Sequence, residues 1–251
     1  MNWKRDLNKI VTVCCLSLLF ACHPQTTTVS EDAPPLVSHD SIASIALPEK
    51  EIVWKTAHGN VSLTDIQLLD STLLIDIRYA TTNNFTQKVL YKEIKKAYLQ
   101  PDIAERLVQA HAMLKSHHPD FRFLVYDAVR PLSVQKEMYE VVKETPYHAY
   151  VATPEKTSLH NYAAAVDITI VDQEGVPLDM GTEFDFFGKA AGPAYEEELL
   201  KQGTLTQQQI ENRSLLRETL RKAGFRSIRG EWWHFNACSL SEAKEKYTLI
   251  E

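Results

Sequence analysis

The segment from Ala165 to Ile170 constrains the fold of this chain more than any other part of the sequence. Every second residue is β-branched and aliphatic (Val166, Ile168 and Ile170), and this period of two predicts a β-strand. Asp167 then points to the face opposite the aliphatic side. An unpaired carboxylate on a central strand is costly unless a positive group meets it. The segment therefore predicts a core strand that carries a metal ligand.

The first 22 residues have the pattern of an export signal. Basic residues precede an apolar run over residues 10–20, which is too short to span a membrane comfortably. Ala21 directly before Cys22 resembles a bacterial lipobox, in which cleavage leaves the cysteine as the lipidated first residue. We expect a lipoprotein signal peptide over residues 1–21 and membrane attachment only through the lipid on Cys22. A secretory signal cleaved elsewhere and an uncleaved anchor are the alternatives.

Composition separates a tether from a globular domain. Residues 22–50 are rich in Thr, Ser, Pro, Glu and Asp and predict a flexible tether, followed by one domain over residues 51–251. Loss of residues 1–21 removes three of the 27 Lys and Arg residues and one of the 33 Asp and Glu residues, which moves the formal net charge from −6 to −8. An acidic chain without a basic run excludes nucleic acid as an expected partner.

Strands and helices alternate without a regular βαβ pattern, which favours the α+β class. Hydrophobic spacing predicts strands near residues 71–77, 121–125 and 225–235, and helices after Pro101, after Pro131 and from Thr206 to Gly224. Thr206 and Gln209 resemble a capping box. The apolar stripe of the middle helix is predicted to comprise Val134, Met138, Val141 and Val142.

Two short stretches carry the candidate chemistry, from Ser158 to Asp167 and from Glu231 to His234. Together they offer two imidazoles and a carboxylate, which are His160, His234 and Asp167. Three such ligands leave the fourth position of a zinc ion open for water. Glu231 lies close enough in sequence to take a proton from that water. In an extended strand Glu231 and His234 do not share a face, so the chain must bend between them.

The cysteines do not predict a disulfide framework. Cys14 and Cys15 lie in the expected signal peptide, Cys22 is the expected lipidation site, and Cys238 stands alone. Because Cys238 follows His234 by four residues, it is a candidate fourth zinc ligand. The alternative is a small, buried hydrophobic residue at a strand end.

Arg130 lies between a predicted strand and Pro131. A guanidinium there can reach into a cleft and stabilise the oxyanion that forms when water attacks a carbonyl group. A structural salt bridge or a loop brace is the alternative role.

These stretches resemble a known family. The order Ser-x-His, Asp and then Glu-x-Trp-His is similar to the zinc D-alanyl-D-alanine peptidases, whose superfamily includes the hedgehog-type fold. Further stretches, in the right order over residues 50–240, are similar to the D-alanyl-D-alanine dipeptidases of the VanX type. They are Asp76–Phe85, Tyr126–Pro131, Asp179–Asp185, Asn212–Arg213 and Gly224–Phe225.

The resemblance implies one small α+β domain with a central antiparallel sheet flanked by helices, and one Zn²⁺ per chain. It assigns the zinc ligands to His160, Asp167 and His234. It also makes Glu231 the general base and acid, and Arg130 the transition-state stabiliser.

The same resemblance indicates how the substrate's free ammonium is held. The candidates are Ser158, Tyr79 and one of Asp179 or Asp185, because a dipeptidase must bind both termini of a two-residue substrate. The chain departs from the family at Ala163, where the family usually has Gly.

The implied reaction is zinc-dependent hydrolysis of D-Ala-D-Ala to two D-Ala, in peptidoglycan turnover or modification. Since the best-known members act in the cytoplasm, an exported, lipid-anchored chain in the cell envelope or periplasm would meet a different substrate pool. One alternative is a D,D- or L,D-carboxypeptidase that acts on longer peptidoglycan stem peptides. A zinc-containing peptidoglycan-binding module without catalysis is the alternative of another class.

Overall fold

The computed structural model describes residues 51–57, 59–153 and 155–251. The predicted signal peptide, the lipidation site Cys22 and the tether up to residue 50 lie outside these ranges. Within them, no helix combines the length and the apolar character that crossing a membrane requires.

A five-stranded sheet forms the centre of the fold. In chain order its strands are β3 (Leu74–Ile75), β5 (Arg122–Asp127), β6 (Ala165–Val171), β7 (Arg226–Ser227) and β8 (His234–Asn236). Their spatial order is β3-β5-β6-β8-β7, and every pair is antiparallel except β3 with β5. The predicted α+β class with a central, mainly antiparallel sheet is confirmed, with one parallel pair at its edge. All seven residues of β6 are buried, which places the predicted strand in the middle of the core.

A second sheet of three antiparallel strands was not expected from the sequence. It has the order β1-β2-β4 and contains β1 (Glu51–Thr56), β2 (Gly59–Asp65) and β4 (Tyr98–Leu99). Leu63 and Leu99 turn into the core, whereas Val53 on the edge strand is 60% exposed. One-sided burial gives a period of two, and Ile52 and Trp54 do alternate with the exposed Val53 and Lys55, so this signal was present but not used in the sequence prediction.

Six α-helices accompany the sheets in the described part of the chain. They are α1 (Ile66–Leu69), α2 (Pro101–His117), α3 (Leu132–Val142), α4 (Glu196–Lys201), α5 (Gln207–Lys222) and α6 (Leu240–Lys246). The capping box that opens α5 is confirmed, since the side chains of Thr206 and Gln209 each accept from the other's backbone N–H. Gly224, at φ +86°, follows the end of this helix and supplies the left-handed residue expected there.

The buried stripe of α3 differs from the prediction at one position. Val134, Met138 and Val142 are buried, but Val141 is 37% exposed. Gln135 is instead fully buried on this helix. Hydrophobic spacing cannot identify a polar residue as buried, because its burial depends on partners from distant segments.

Two loops that carry candidate site residues are tied to one another beyond β5. The Arg130 N–H donates to the His160 carbonyl at 3.0 Å, and the Asn161 side-chain amide donates to the Arg130 carbonyl at 2.8 Å. Near the C-terminus, Ile250 donates to the Asn161 carbonyl and accepts from the Leu132 N–H, both at 2.8 Å. Together these hydrogen bonds hold the two loops in place relative to the sheet.

Candidate metal centre and active site

Three potential metal-donor atoms converge where the start of β8 pairs with β6. The His234 Nδ1 atom lies 3.0 Å from Asp167 Oδ1, and His160 Nε2 lies 3.3 Å from the same oxygen. The two nitrogens lie 3.2 Å apart. Asp167 and His234 are register partners across the antiparallel pair, and His160 comes from the turn before β6.

Hydrogen bonds on the outer side of each imidazole assign its tautomer. His160 Nδ1 donates to the Ala128 carbonyl at 2.6 Å, and His234 Nε2 donates to Asn236 Oδ1 at 2.8 Å. Each ring therefore turns a nitrogen lone pair towards Asp167. Carbonyl and side-chain acceptors behind the rings are the usual partners of metal-binding histidines.

This donor set fits a zinc ion. Bonds of about 2.0–2.1 Å at tetrahedral angles place ligand atoms about 3.3 Å apart, which matches the three separations in the structure. Two lone pairs and a carboxylate oxygen at such short range repel one another unless a cation lies between them. Although burial raises the pKa of Asp167, its interactions with His160 and His234 hold that pKa well below the usual range. The carboxyl group therefore remains ionised, as a ligand must be.

Glu231 lies three residues before β8, which begins at His234, and the chain bends at Trp232 and Trp233 between them. The required change of direction between Glu231 and His234 is thus present. Burial raises the pKa of Glu231 to about 7, and the negative charge of Asp167 adds to the rise. A carboxyl with a pKa near neutrality can both accept and return a proton.

Arg130 is held by three side chains of the site. Its Nε and Nη2 atoms lie 2.8 and 2.7 Å from Asp127 Oδ2, and Nη2 also donates to Asp167 Oδ2 at 3.3 Å. Its Nη1 atom donates to Gln135 Oε1 at 3.2 Å. The guanidinium carbon lies 5.2 Å from the centre of the Tyr79 ring. A buried cation with this many partners cannot swing away from the cavity.

Asp127 is fully buried and has its own supports. Its Oδ1 atom accepts from the Tyr91 hydroxyl at 2.7 Å and from the Ala128 N–H at 3.0 Å. The carboxylate is thus fixed before it binds Arg130, and the loop after β5 presents the guanidinium in one orientation.

The three donor residues, Glu231 and Arg130 line one cavity of about 370 Å³. Its polar lining includes the three donor residues together with Glu231, Arg130, Ser158, Tyr79 and Asp185. The volume lies towards the small end of ligand pockets, which span about 300–1,000 Å³. Ser158 lines the wall and its hydroxyl accepts from the His160 N–H at 3.3 Å.

The half-buried Asp185 and the buried Tyr79 form an acidic corner of this cavity. The Tyr79 hydroxyl donates to the Asp185 carboxylate, at 3.0 and 3.1 Å from its two oxygens. Burial and the nearby charge of Asp167 raise the pKa of Asp185 to about 8, against the lowering effects of Tyr79 and Arg130. Asp185 also has a φ of +61°, an uncommon conformation for a non-glycine residue. A cation in this corner would favour the ionised carboxylate.

Asp179 and Cys238 lie away from this cavity. The Asp179 carboxylate accepts from the Gly181 N–H and the Gln209 side chain, both at 2.8 Å, so it fixes a loop against α5. Of the two aspartates considered, Asp185 is therefore the one at the site. Cys238 lines a different cavity and does not belong to the donor group found among the described residues.

Ala163 closes the turn that carries His160 and adopts a left-handed conformation, with φ +51° and ψ +36°. Only glycine adopts this conformation without steric cost, which gives a physical reason for the glycine usual at this position in the family. The fold accommodates the alanine, and its backbone N–H still bonds to the His160 carbonyl at 3.0 Å.

Three polar residues of the site were missed in the sequence. Asp127 lies inside the stretch that carries Arg130, and Asn236 lies two residues after His234 on the same strand face. Their closeness in sequence to Arg130 and His234 could have identified them as residues of the site. Gln135 had no such signal, because only its contacts across the fold distinguish it from an ordinary surface glutamine.

Comparisons with known proteins agree with the geometry. The peptidase M15 family model, described as D-ala-D-ala dipeptidase, matches residues 60–248. A D-alanyl-D-alanine dipeptidase of Synechocystis sp. is 32% identical, over 55% of this chain and 68% of that protein. One from Escherichia coli is 28% identical, over 69% of this chain and 83% of that protein.

A solved structure of the LdcB LD-carboxypeptidase aligns with a TM-score of 0.38 and 19% identity, over 62% of this chain and 66% of that one. Similarity at this level supports no conclusion about activity. The family match and the two dipeptidases define the class of this protein as a peptidase. More narrowly, the chain belongs to the D-ala-D-ala dipeptidase family.

Proposed function

We propose that this protein is a zinc-dependent dipeptidase that hydrolyses D-Ala-D-Ala to two molecules of D-Ala. The observation that carries the proposal is the convergence of His160, Asp167 and His234 on one point of a cavity that also contains Glu231 and Arg130. The relatives named above support the choice of substrate.

His160, Asp167 and His234 would hold the zinc ion. When bound, the ion supplies Lewis-acid polarisation and makes a nearby water more acidic. The chain's own residues carry out the proton transfers and stabilise the developing charge.

Glu231 takes a proton from the attacking water and delivers it to the nitrogen of the leaving D-Ala. The base accepts the proton most readily when its pKa lies near the working pH, which its enclosed position favours. Arg130 donates to the carbonyl oxygen as negative charge develops there. Because Asp127 holds the guanidinium in place beforehand, little reorganisation is needed during the reaction.

The acidic corner favours a dipeptide over a longer stem peptide. A free dipeptide presents an ammonium group, which can pair with the Asp185 carboxylate. In a longer peptide this nitrogen is an uncharged amide, so a half-buried carboxylate would face no cation. A D,D- or L,D-carboxypeptidase has no need of such a corner.

Substrate comparison tests this proposal directly. We expect the purified zinc-loaded protein to cleave D-Ala-D-Ala with a kcat/KM about 10–100-fold above that for N-acetyl-D-Ala-D-Ala or a pentapeptide, the range expected for a charge-assisted hydrogen bond. Asp185→Asn should remove most of this preference. Asp179→Asn, which changes an aspartate outside the cavity, should leave it intact.

Each other outcome points to a specific alternative. Faster cleavage of the pentapeptide would replace the dipeptidase with a carboxypeptidase. Stoichiometric zinc without turnover of any D,D- or L,D-peptide would favour a binding module. The presence of Glu231 and Arg130 in the cavity argues against such a module, because binding alone requires no proton acceptor.

We also propose, from the sequence of the first 22 residues, that the protein is exported and anchored by a lipid on Cys22. Cys22→Ser should abolish labelling by a radioactive fatty acid and release the protein from the membrane fraction. Cys14→Ser is the matched control and should remain labelled. Equal labelling of both variants would exclude Cys22 as the attachment site.

A further inference from the structure

Gln135 is a buried polar residue on a helix whose other inward-facing residues are apolar. It is 0% exposed and lies in the first turn of α3, near the buried Val134 and Met138. Burying an amide without hydrogen bonds costs free energy that an apolar side chain would not. The contacts of this amide therefore indicate what the residue does.

The Gln135 amide connects the guanidinium to the wall of the cavity. Its Oε1 atom accepts from Arg130 Nη1 at 3.2 Å, and its Nε2 atom donates to the Ala152 carbonyl at 3.1 Å. The orientation of the amide is fixed, because a guanidinium can only donate and a carbonyl can only accept. Ala152 belongs to the segment Ala149–Ala152, which lines the cavity.

The hydrogen bonds of Arg130 hold its guanidinium from more than one side. A guanidinium has five N–H donors. Within the described part of the chain, Asp127 takes the Nε hydrogen and one on Nη2, and Asp167 takes the other on Nη2. Gln135 takes one of the two on Nη1. Because both Asp127 contacts go to a single oxygen, they leave the planar, rigid guanidinium free to pivot about that atom. Gln135 holds the group from its Nη1 side and so opposes this pivoting.

We propose that Gln135 is a positioning residue for the peptidase reaction, acting through Arg130. It fixes the orientation of the whole guanidinium plane from the Nη1 side, so that the group meets the carbonyl oxygen of a bound peptide, and it joins the guanidinium to the Ala152 wall. This proposal rests on the proposed hydrolytic function. It assigns Gln135 an effect on the reaction rate, and none on the metal site or on substrate affinity.

The test is Gln135→Met, which keeps the length and volume of the side chain and removes both hydrogen bonds. On D-Ala-D-Ala we expect kcat to fall about 10–100-fold, the effect of a misplaced catalytic group, with KM within about twofold of the wild type. Zinc content and the thermal unfolding midpoint should remain near wild-type values. If Gln135→Met does not fold, Gln135→Leu fills the same buried volume and takes its place.

Gln100→Met is the matched control. Gln100 is also buried and donates to a backbone carbonyl, that of Tyr162, at 2.9 Å, but it does not contact Arg130. Its substitution removes a comparable hydrogen bond and should leave kcat within about twofold of the wild type. An equal loss in both variants would show a general effect on stability and overturn the proposal.

A double-mutant cycle separates positioning from packing. If Gln135 acts through Arg130, Gln135→Met should change kcat by less than about twofold when combined with Arg130→Ala. A further 10–100-fold loss in that background would overturn the proposal. Wild-type-like kcat in Gln135→Met would do the same. An inactive wild-type protein would instead refute the proposed function, so the two failures are distinguishable.

Discussion

Asp167 and His234 face each other across the antiparallel pair of β6 and β8, with Oδ1 of the aspartate 3.0 Å from Nδ1 of the histidine. The hydrogen-bond register of the sheet sets this distance, so two residues separated by 67 positions meet without the help of a flexible loop. His160 then needs only one short turn before β6 to complete the group. Two of the three ligands of the candidate metal centre thus lie on rigid strands.

Removal of the proposed base should abolish turnover and spare the metal. We expect Glu231→Ala to lower kcat by about 10²–10⁴-fold, the usual contribution of a general base, while zinc stays near one per chain. Activity assays with metal analysis on the same sample check this. Glu245→Ala, at an exposed glutamate of α6, is the control. Retained activity in Glu231→Ala would reject the role assigned to this residue.

Asn236 supports a ligand without contacting the proposed ion. Its Oδ1 atom accepts from His234 Nε2 at 2.8 Å, which holds the ring with its other nitrogen towards Asp167. We expect Asn236→Ala to weaken zinc binding about 10–100-fold, as measured by competition with a chelator. Asn212→Ala is the control, because Asn212 donates to the Asp179 carbonyl on another face of the fold. Equal affinities for the two variants would contradict the prediction.

The left-handed alanine before β6 offers a gain in stability. We expect Ala163→Gly to raise the free energy of unfolding by about 0.5–1 kcal/mol, because the steric cost of the side chain at φ +51° is removed. Ala164→Gly should do the opposite, since Ala164 is buried and does not have a positive φ. Urea denaturation of both variants measures the difference. A loss of stability in Ala163→Gly would show that its methyl group contributes more than the strain costs.

A polar cluster far from the cavity should make stability depend on pH. Burial raises the pKa of Asp70, but hydrogen bonds from Thr72, His111 and Lys115 outweigh it and hold the pKa well below the usual range. The folded state thus favours the ionised carboxylate. Its contribution is fully present above the unfolded-state value of about 3.9 and is lost as the pH falls from there towards the folded-state pKa.

Asp70→Asn tests this linkage. We expect the stability difference between the wild type and this variant to shrink below about pH 4, as measured by urea denaturation. Asp120→Asn, at an exposed position, should show no such change. A stability difference for Asp70→Asn that stays the same at pH 3 would contradict the assigned cause.

Local sequence patterns predicted those elements of the fold that neighbouring residues in the chain specify. The period of two over Ala165–Ile170 predicted β6, and Thr206 with Gln209 predicted the start of α5, because both signals depend on neighbours in the chain. The residue types in the two short stretches predicted the candidate zinc ligands, and the resemblance to the dipeptidases assigned the same three residues. It also singled out Glu231 and Arg130, which the fold brings into the same cavity as those ligands.

Tertiary structure alone decided the rest. Partners from distant segments decide three features: the exposure of Val141, the burial of Gln135, and the position of Asp185 rather than Asp179 at the cavity. The spacing of hydrophobic residues along the chain therefore could not predict them. The same holds for the distance between Asp167 and His234, which only the strand register determines. By itself, the sequence determined which side chains can bind a metal and move a proton. The pairing of the strands brought these side chains together, because hydrogen bonds between strands fix relative positions that spacing along the chain does not.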